Sequence, residues 1–118
     1  MSRCDNWQTP YLANTAVTAS QTVIGGWLFL DGAAGFSVQI QAMNGAAGTV
    51  YIDATNYHGA ATTTFVTPTN QPVAANGTTF LSFGPADQAT VFAQMRVRFV
   101  SSAAGNIQIA TVIRRYTH

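Results

Sequence analysis

The residues able to do acid–base, nucleophilic or metal chemistry in this sequence are few: Asp5, Asp31, Asp53, Asp87, His58, His118 and Cys4, with neither Lys nor Glu beside them. Asp53 and His58 lie close together, but Asp53 is predicted on a strand face and His58 in the turn that follows. No nucleophile motif of the Gly-x-Ser-x-Gly kind accompanies them. A solvated turn histidine is the simpler account of His58. The aspartates lack the alternating clustering of a calcium loop. Cys4, the single cysteine, can form neither an intramolecular disulfide nor a Cys/His metal cage, and its expected role is that of a small, partly buried side chain. Gly25-Gly26 and the Ala-Ala-Gly stretches lack the Lys and the following helix of a phosphate loop. No catalytic residue, metal site or cofactor is therefore expected, and the sequence reads as that of a non-enzyme.

The arginines say more. All five cations are Arg (Arg3, Arg96, Arg98, Arg114 and Arg115), charged residues make up 8% of the chain, and the formal net charge is +1. An average soluble domain is about 25% charged. Lys and Glu are depleted and Arg enriched where protein surfaces meet, so the composition points to a domain covered by neighbours in an assembly. A net charge this small gives a nucleic acid little long-range attraction. No stretch approaches the roughly 18 apolar residues that span a bilayer, and the opening Met-Ser-Arg-Cys-Asp-Asn is not followed by the apolar run of a signal peptide. Neither nucleic acid nor membrane is expected as a partner, and the protein is expected to stay soluble in the cytoplasm where it is made. The glycosylation sequon Asn76-Gly77-Thr78 carries no weight in that setting.

The elements that must position these groups are strands. Residues 1–20 are polar, with no sustained period, and read as an extended arm anchored by Trp7 and Tyr11. From Gln21 the chain changes to short runs of period-2 alternation punctuated by Gly, Asn and Pro. Gln21 to Asp31 reads as a strand broken at Gly25-Gly26. Phe36 to Ala42 and Thr49 to Thr55 read as a hairpin around Asn44-Gly45, with Ala42 opposite Val50, Ile40 opposite Ile52 and Val38 opposite Ala54. Pro68 and Pro72 demote their segment to an edge strand or loop. Thr78 to Phe83 resumes as a strand with Phe80 and Ser82 on one face and Thr79, Leu81 and Phe83 on the other. Thr90 to Ser101 and Ile107 to Tyr116 read as a final hairpin, Phe99 opposite Ile109 and Met95 opposite Ile113. That register places Arg96, Arg98 and Arg114 on one face, either solvated or set to pair with partner carboxylates. Gly45-Ala-Ala-Gly and Ser102-Ala-Ala-Gly open faintly similar stretches. The expected fold is all-β: a single antiparallel β-sandwich, jelly-roll-like, over residues 21–118, preceded by the arm.

The stretch GTVYIDATNYHG, from Gly48 to Gly59, and FAQMRVRFVSSAAGNIQI, from Phe92 to Ile109, resemble segments of small β-sandwich structural proteins of tailed bacteriophages. Within that group the chain is most similar to capsid decoration, or cement, proteins. The resemblance implies a multimeric accessory subunit on the capsid exterior, with the major capsid protein and copies of itself as partners. A different reading is a carbohydrate-binding or adaptor module of a phage tail or fibre, with Trp27, Tyr51 and Tyr57 as candidate sugar platforms.

Overall fold

A computed structural model of the chain describes residues 3–30, 33–56, 65–84, 87, 90 and 92–117, with side chains described from residue 13 to residue 114 of these. Among them nine strands follow in order: β1 (Arg3–Val17), β2 (Thr22–Ile24), β3 (Leu28–Phe29), β4 (Ala33–Met43), β5 (Ala47–Thr55), β6 (Val66–Val73), β7 (Thr78–Phe83), β8 (Gln94–Ala103) and β9 (Gly105–Thr117). They form two antiparallel sheets. One has the order β1-β9-β4-β7, and the other β2-β8-β5-β6 with β3 also paired to β8. The break between β2 and β3 falls at Gly25–Trp27, where the glycine pair is expected to interrupt the strand.

Six chain-adjacent pairs, β1/β2, β3/β4, β4/β5, β6/β7, β7/β8 and β8/β9, therefore cross from one sheet to the other. This is the winding of a jelly roll, in which consecutive strands alternate between two packed layers. The expected sandwich is present, but both expected hairpins are not. β4 pairs with β9 and β7, and β5 with β8 and β6, so Ala42, Ile40 and Val38 face Val50, Ile52 and Ala54 from the opposing sheet. In the same way Phe99 lies opposite Val50 in its own sheet, whereas Ile109 lies opposite Ile40. The physical reason is that apolar alternation demands only a shared interior. Two strands meet that demand equally well side by side or face to face across a core.

That interior is made by Phe36, Val38, Ile40, Ala42, Ile107, Ile109 and Ile113 of the four-stranded sheet against Val50, Ile52, Met95, Val97 and Phe99 of the five-stranded one, all buried in one cluster. Each of the Val, Ile, Met and Phe side chains removed from water contributes about 1.5–3 kcal/mol.

Four of the crossings, β1/β2, β4/β5, β6/β7 and β8/β9, lie at one end of the sandwich and are tied to one another. Asn44 and Gly45 hold φ of 55° and 90°, and the Ala46 amide donates to the Met43 carbonyl at 3.1 Å. Two positive φ values in a two-residue turn are the type I′ signature that Asn-Gly favours. The Gly45 amide donates to Asn76 Oδ1 at 2.8 Å, and Asn44 Nδ2 to Asn106 Oδ1 at 2.9 Å, which joins the β4/β5, β6/β7 and β8/β9 crossings. Gly105 packs so tightly here that a Cβ would sit 2.4 Å from the Ala46 nitrogen and 2.5 Å from the Met43 carbonyl oxygen. At the β1/β2 crossing the Gln21 amide donates to Ser101 Oγ at 2.9 Å, and the Ser101 amide returns a bond to the Gln21 carbonyl at 2.8 Å.

The N-terminal segment is extended, yet it is a strand of the fold. β1 runs antiparallel to β9 from Arg3 opposite Thr117 to Val17 opposite Gly105. Its register shifts between Pro10 and Leu12 and again between Leu12 and Thr15. Two shifts erase any period of 2 in the sequence, so no strand was legible there.

Candidate functional site

Strand pairing decides where the charged groups meet. Because β5 lies against β8, Asp53 is the cross-strand neighbour of Arg96 and Tyr51 that of Arg98, all on the outer face of the five-stranded sheet. Arg114 sits on β9, exposed on the other sheet. The expected common face of Arg96, Arg98 and Arg114 is therefore corrected: two of the three come together, and the third is carried away by the crossing of the chain between β8 and β9.

Asp53 is fully buried although it points away from the core. Two guanidiniums and a hydroxyl cover it. Arg96 Nε donates to Oδ2 at 2.9 Å, Arg98 Nε to Oδ2 at 3.0 Å, Arg98 Nη2 to Oδ1 at 3.1 Å, and Thr67 Oγ1 to Oδ1 at 2.8 Å. Burial pushes the Asp53 carboxyl up, but the hydrogen bonds from Arg98, Arg96 and Thr67 outweigh it and hold the group below its ordinary value. The bond to Asp53 raises Arg98 in turn. Both oxygens of the carboxylate are saturated by charge-assisted or hydroxyl hydrogen bonds, which leaves it no lone pair facing solvent with which to take a proton from a substrate.

Aromatic rings complete the cluster. The Arg96 guanidinium lies 4.6 Å from the Trp27 ring centroid and 4.5 Å from that of Phe65, and the Arg98 guanidinium lies 4.4 Å from that of Tyr51. Trp27 and Phe65 meet edge to face at 6.1 Å. Trp27 arrives from the broken stretch between β2 and β3, and Phe65 from the entry to β6, so residues distant in sequence close around one guanidinium. Stacking of this kind is worth about 0.5–2 kcal/mol per cation. Exposed Ile24 and Phe29 flank the cluster on the same sheet. The resulting surface is an arginine–aromatic patch with apolar margins and its one carboxylate hidden beneath, the composition of the buried centre of a protein contact.

Trp7 and Tyr11 lie in β1, Trp7 opposite Ile113, and their side chains fall outside the described residues, as does that of Cys4. Tyr57, His58 and His118 are likewise outside them. Phe65 and Thr67 carry part of the cluster and were not singled out by sequence. Their only sequence signal is a position just ahead of Pro68, in a segment that its prolines mark as an edge strand or loop.

No protein-family model matches this sequence, and no curated protein matches it. Solved structures share its fold. The chain is similar to the SPBc2 prophage-derived protein YomS, at 13% identity and a TM-score of 0.58, over 95% of both chains. It is also similar to the infectious bursal disease virus VP2 subviral particle, at 10% identity and a TM-score of 0.52, and to the structure of the Gx strain of that virus, at 11% and 0.51. In both of the latter, 97% of the chain is matched but it spans 32% of the viral chain. The chain thus shares its β-sandwich fold with these proteins.

Proposed function

We propose that this chain is a structural protein of a virus particle, of the tailed-phage kind, that acts by protein–protein contact as a decoration subunit on the capsid exterior. The observation that carries the reading is the end-to-end likeness to a prophage-derived protein, over 95% of each chain. Three features agree with it. Charged residues are sparse, the Asp53 carboxylate is saturated by its own chain, and the arginine–aromatic face has the make-up of a contact surface. Many moderate contacts repeated over a shell stabilise the assembled state by mass action. The major capsid protein and further copies of the chain are the partners this reading names.

A sugar platform needs an open aromatic face, and Trp27 and Tyr51 each stack with a guanidinium instead. The geometry therefore favours a protein partner over a glycan. The test is binding of the purified chain to phage shells that lack it, followed by electron microscopy, with Ile24→Lys and Tyr51→Ala as surface variants. Added density on the outer shell, lost or weakened with the variants, is the expected result. Density only at the tail, or none on any shell, would overturn the assignment.

A further inference from the structure

Each sheet ends in two edges, and three of the four are blunted. β1 carries Pro10 and two register shifts. β2 and β3 are three and two residues long and separated by the glycine pair. β6 contains Pro68 and Pro72 and shifts register between Ile52 and Ala54 of its neighbour. Proline, bulges and short length are the devices that keep edges from pairing with another chain. β7, Thr78-Thr-Phe-Leu-Ser-Phe83, has none of them: no proline, no charge and an unbroken register against β4.

The core is also open along this edge. Val38 and Ile40 on β4 are buried, but their neighbours Leu81 and Thr79 on β7 are only half-buried. On the outer face Phe80 is 71% exposed, more than any other large hydrophobic side chain described. The phase of the ladder is set by the Ala42 amide, which donates to the Gly77 carbonyl at 2.9 Å. Backbone groups alternate in direction along a strand, so those of Gly77, Thr79 and Leu81 turn toward β4. Those of Thr78, Phe80 and Ser82 turn to the open side.

We propose that β7 is a homodimer edge, pairing antiparallel with β7 of a second copy about a two-fold axis at Phe80. The edge is its own complement. With Phe80 opposite Phe80, Thr78 falls opposite Ser82 and Thr79 opposite Leu81, so outward residues meet outward ones and inward meet inward. The outward-turned pairs exchange both of their N–H···O bonds, no like charges meet, and a charged partner finds nothing to pair with. Two four-stranded sheets become one continuous sheet across an isologous contact, the Phe80 rings form a cross-strand aromatic pair, and the half-buried Leu81 side chains are covered. This deepens the reading that the chain associates with copies of itself, and is independent of whether it sits on a particle.

Sedimentation equilibrium of the full chain from about 1 μM to about 1 mM tests it, with two variants beside the wild type. Phe80→Lys places a charge at the axis from an exposed position, and Ser82→Pro removes a donor on the open side alone. The wild type is expected to dimerise with rising concentration, and each variant to weaken dimerisation at least tenfold with an unchanged far-ultraviolet spectrum. A wild type that stays monomeric throughout, or a folded Phe80→Lys or Ser82→Pro variant that dimerises as well as it, overturns the pairing. A dimer in solution that both variants weaken supports it whether or not the chain binds shells, so failure of the capsid reading is seen separately.

Discussion

The carboxylate of Asp53 is shut away from water behind Arg96, Arg98 and Thr67, so changing it leaves two guanidiniums without their counter-charge. Asp53→Asn is expected to lower stability by roughly 2–3 kcal/mol, less than a fully buried pair because the arginine side chains remain partly solvated. Urea unfolding of both proteins measures this. The pH dependence follows from the same site. A carboxyl held below its unfolded value of about 3.8 contributes stability that is fully present above that pH and is lost as pH falls through the lower, folded value. The gap between wild type and Asp53→Asn should therefore be widest near neutrality and close progressively below about pH 4; a gap that stayed constant down to pH 2 would contradict the ion cluster. Both partners were visible in the sequence as outward-facing charges on strands. Their meeting was not, because it depends on β5 lying beside β8, and alternation alone sets β8 equally well beside the strand that follows it.

At the scale of elements, strands were legible and their neighbours were not. Alternation located β4, β5, β7, β8 and β9, with the inward residues of all but β7, and proline marked the β6 segment as an edge or a loop. The same alternation suits two hairpins because Asn44-Gly45 and the residues from Ser102 to Asn106 are turn sequences, and a turn sequence does not say whether the chain comes back alongside itself or over the top. What distinguishes them is the close stacking of the crossings on one another, as at Gly105. Gly105→Ala should force the Met43–Ala46 turn outward and cost about 1–3 kcal/mol, read as a lowered melting temperature; an unchanged one would mean the two crossings are not in contact. β1 was mistaken for an appendage because its bulges hide its period. Since it closes one flank of the four-stranded sheet and brings buried Val17 into the core, removal of residues 1–17 should abolish cooperative thermal unfolding. A truncated chain melting like the full one would restore the view of this segment as a detachable arm.

For the molecule as a whole, nearly every strand pairing joins residues far apart in sequence, the first strand with the last included. Such topologies spend loop entropy before they gain contact energy, so refolding is expected in milliseconds to seconds. Stopped-flow fluorescence of Trp27 and Trp7 would show it, and a microsecond phase carrying the full amplitude would not fit this winding. The pairing of β1 with β9 also has a meaning for polypeptides other than this one. Arg3 and Thr117 stand opposite each other, about 5 Å apart as cross-strand neighbours are. A longer chain can therefore enter and leave the jelly roll through a single doorway, threading it like a bead on a string without being parted. Anything fused at either end starts from the same corner, on the flank of the four-stranded sheet away from the β7 edge.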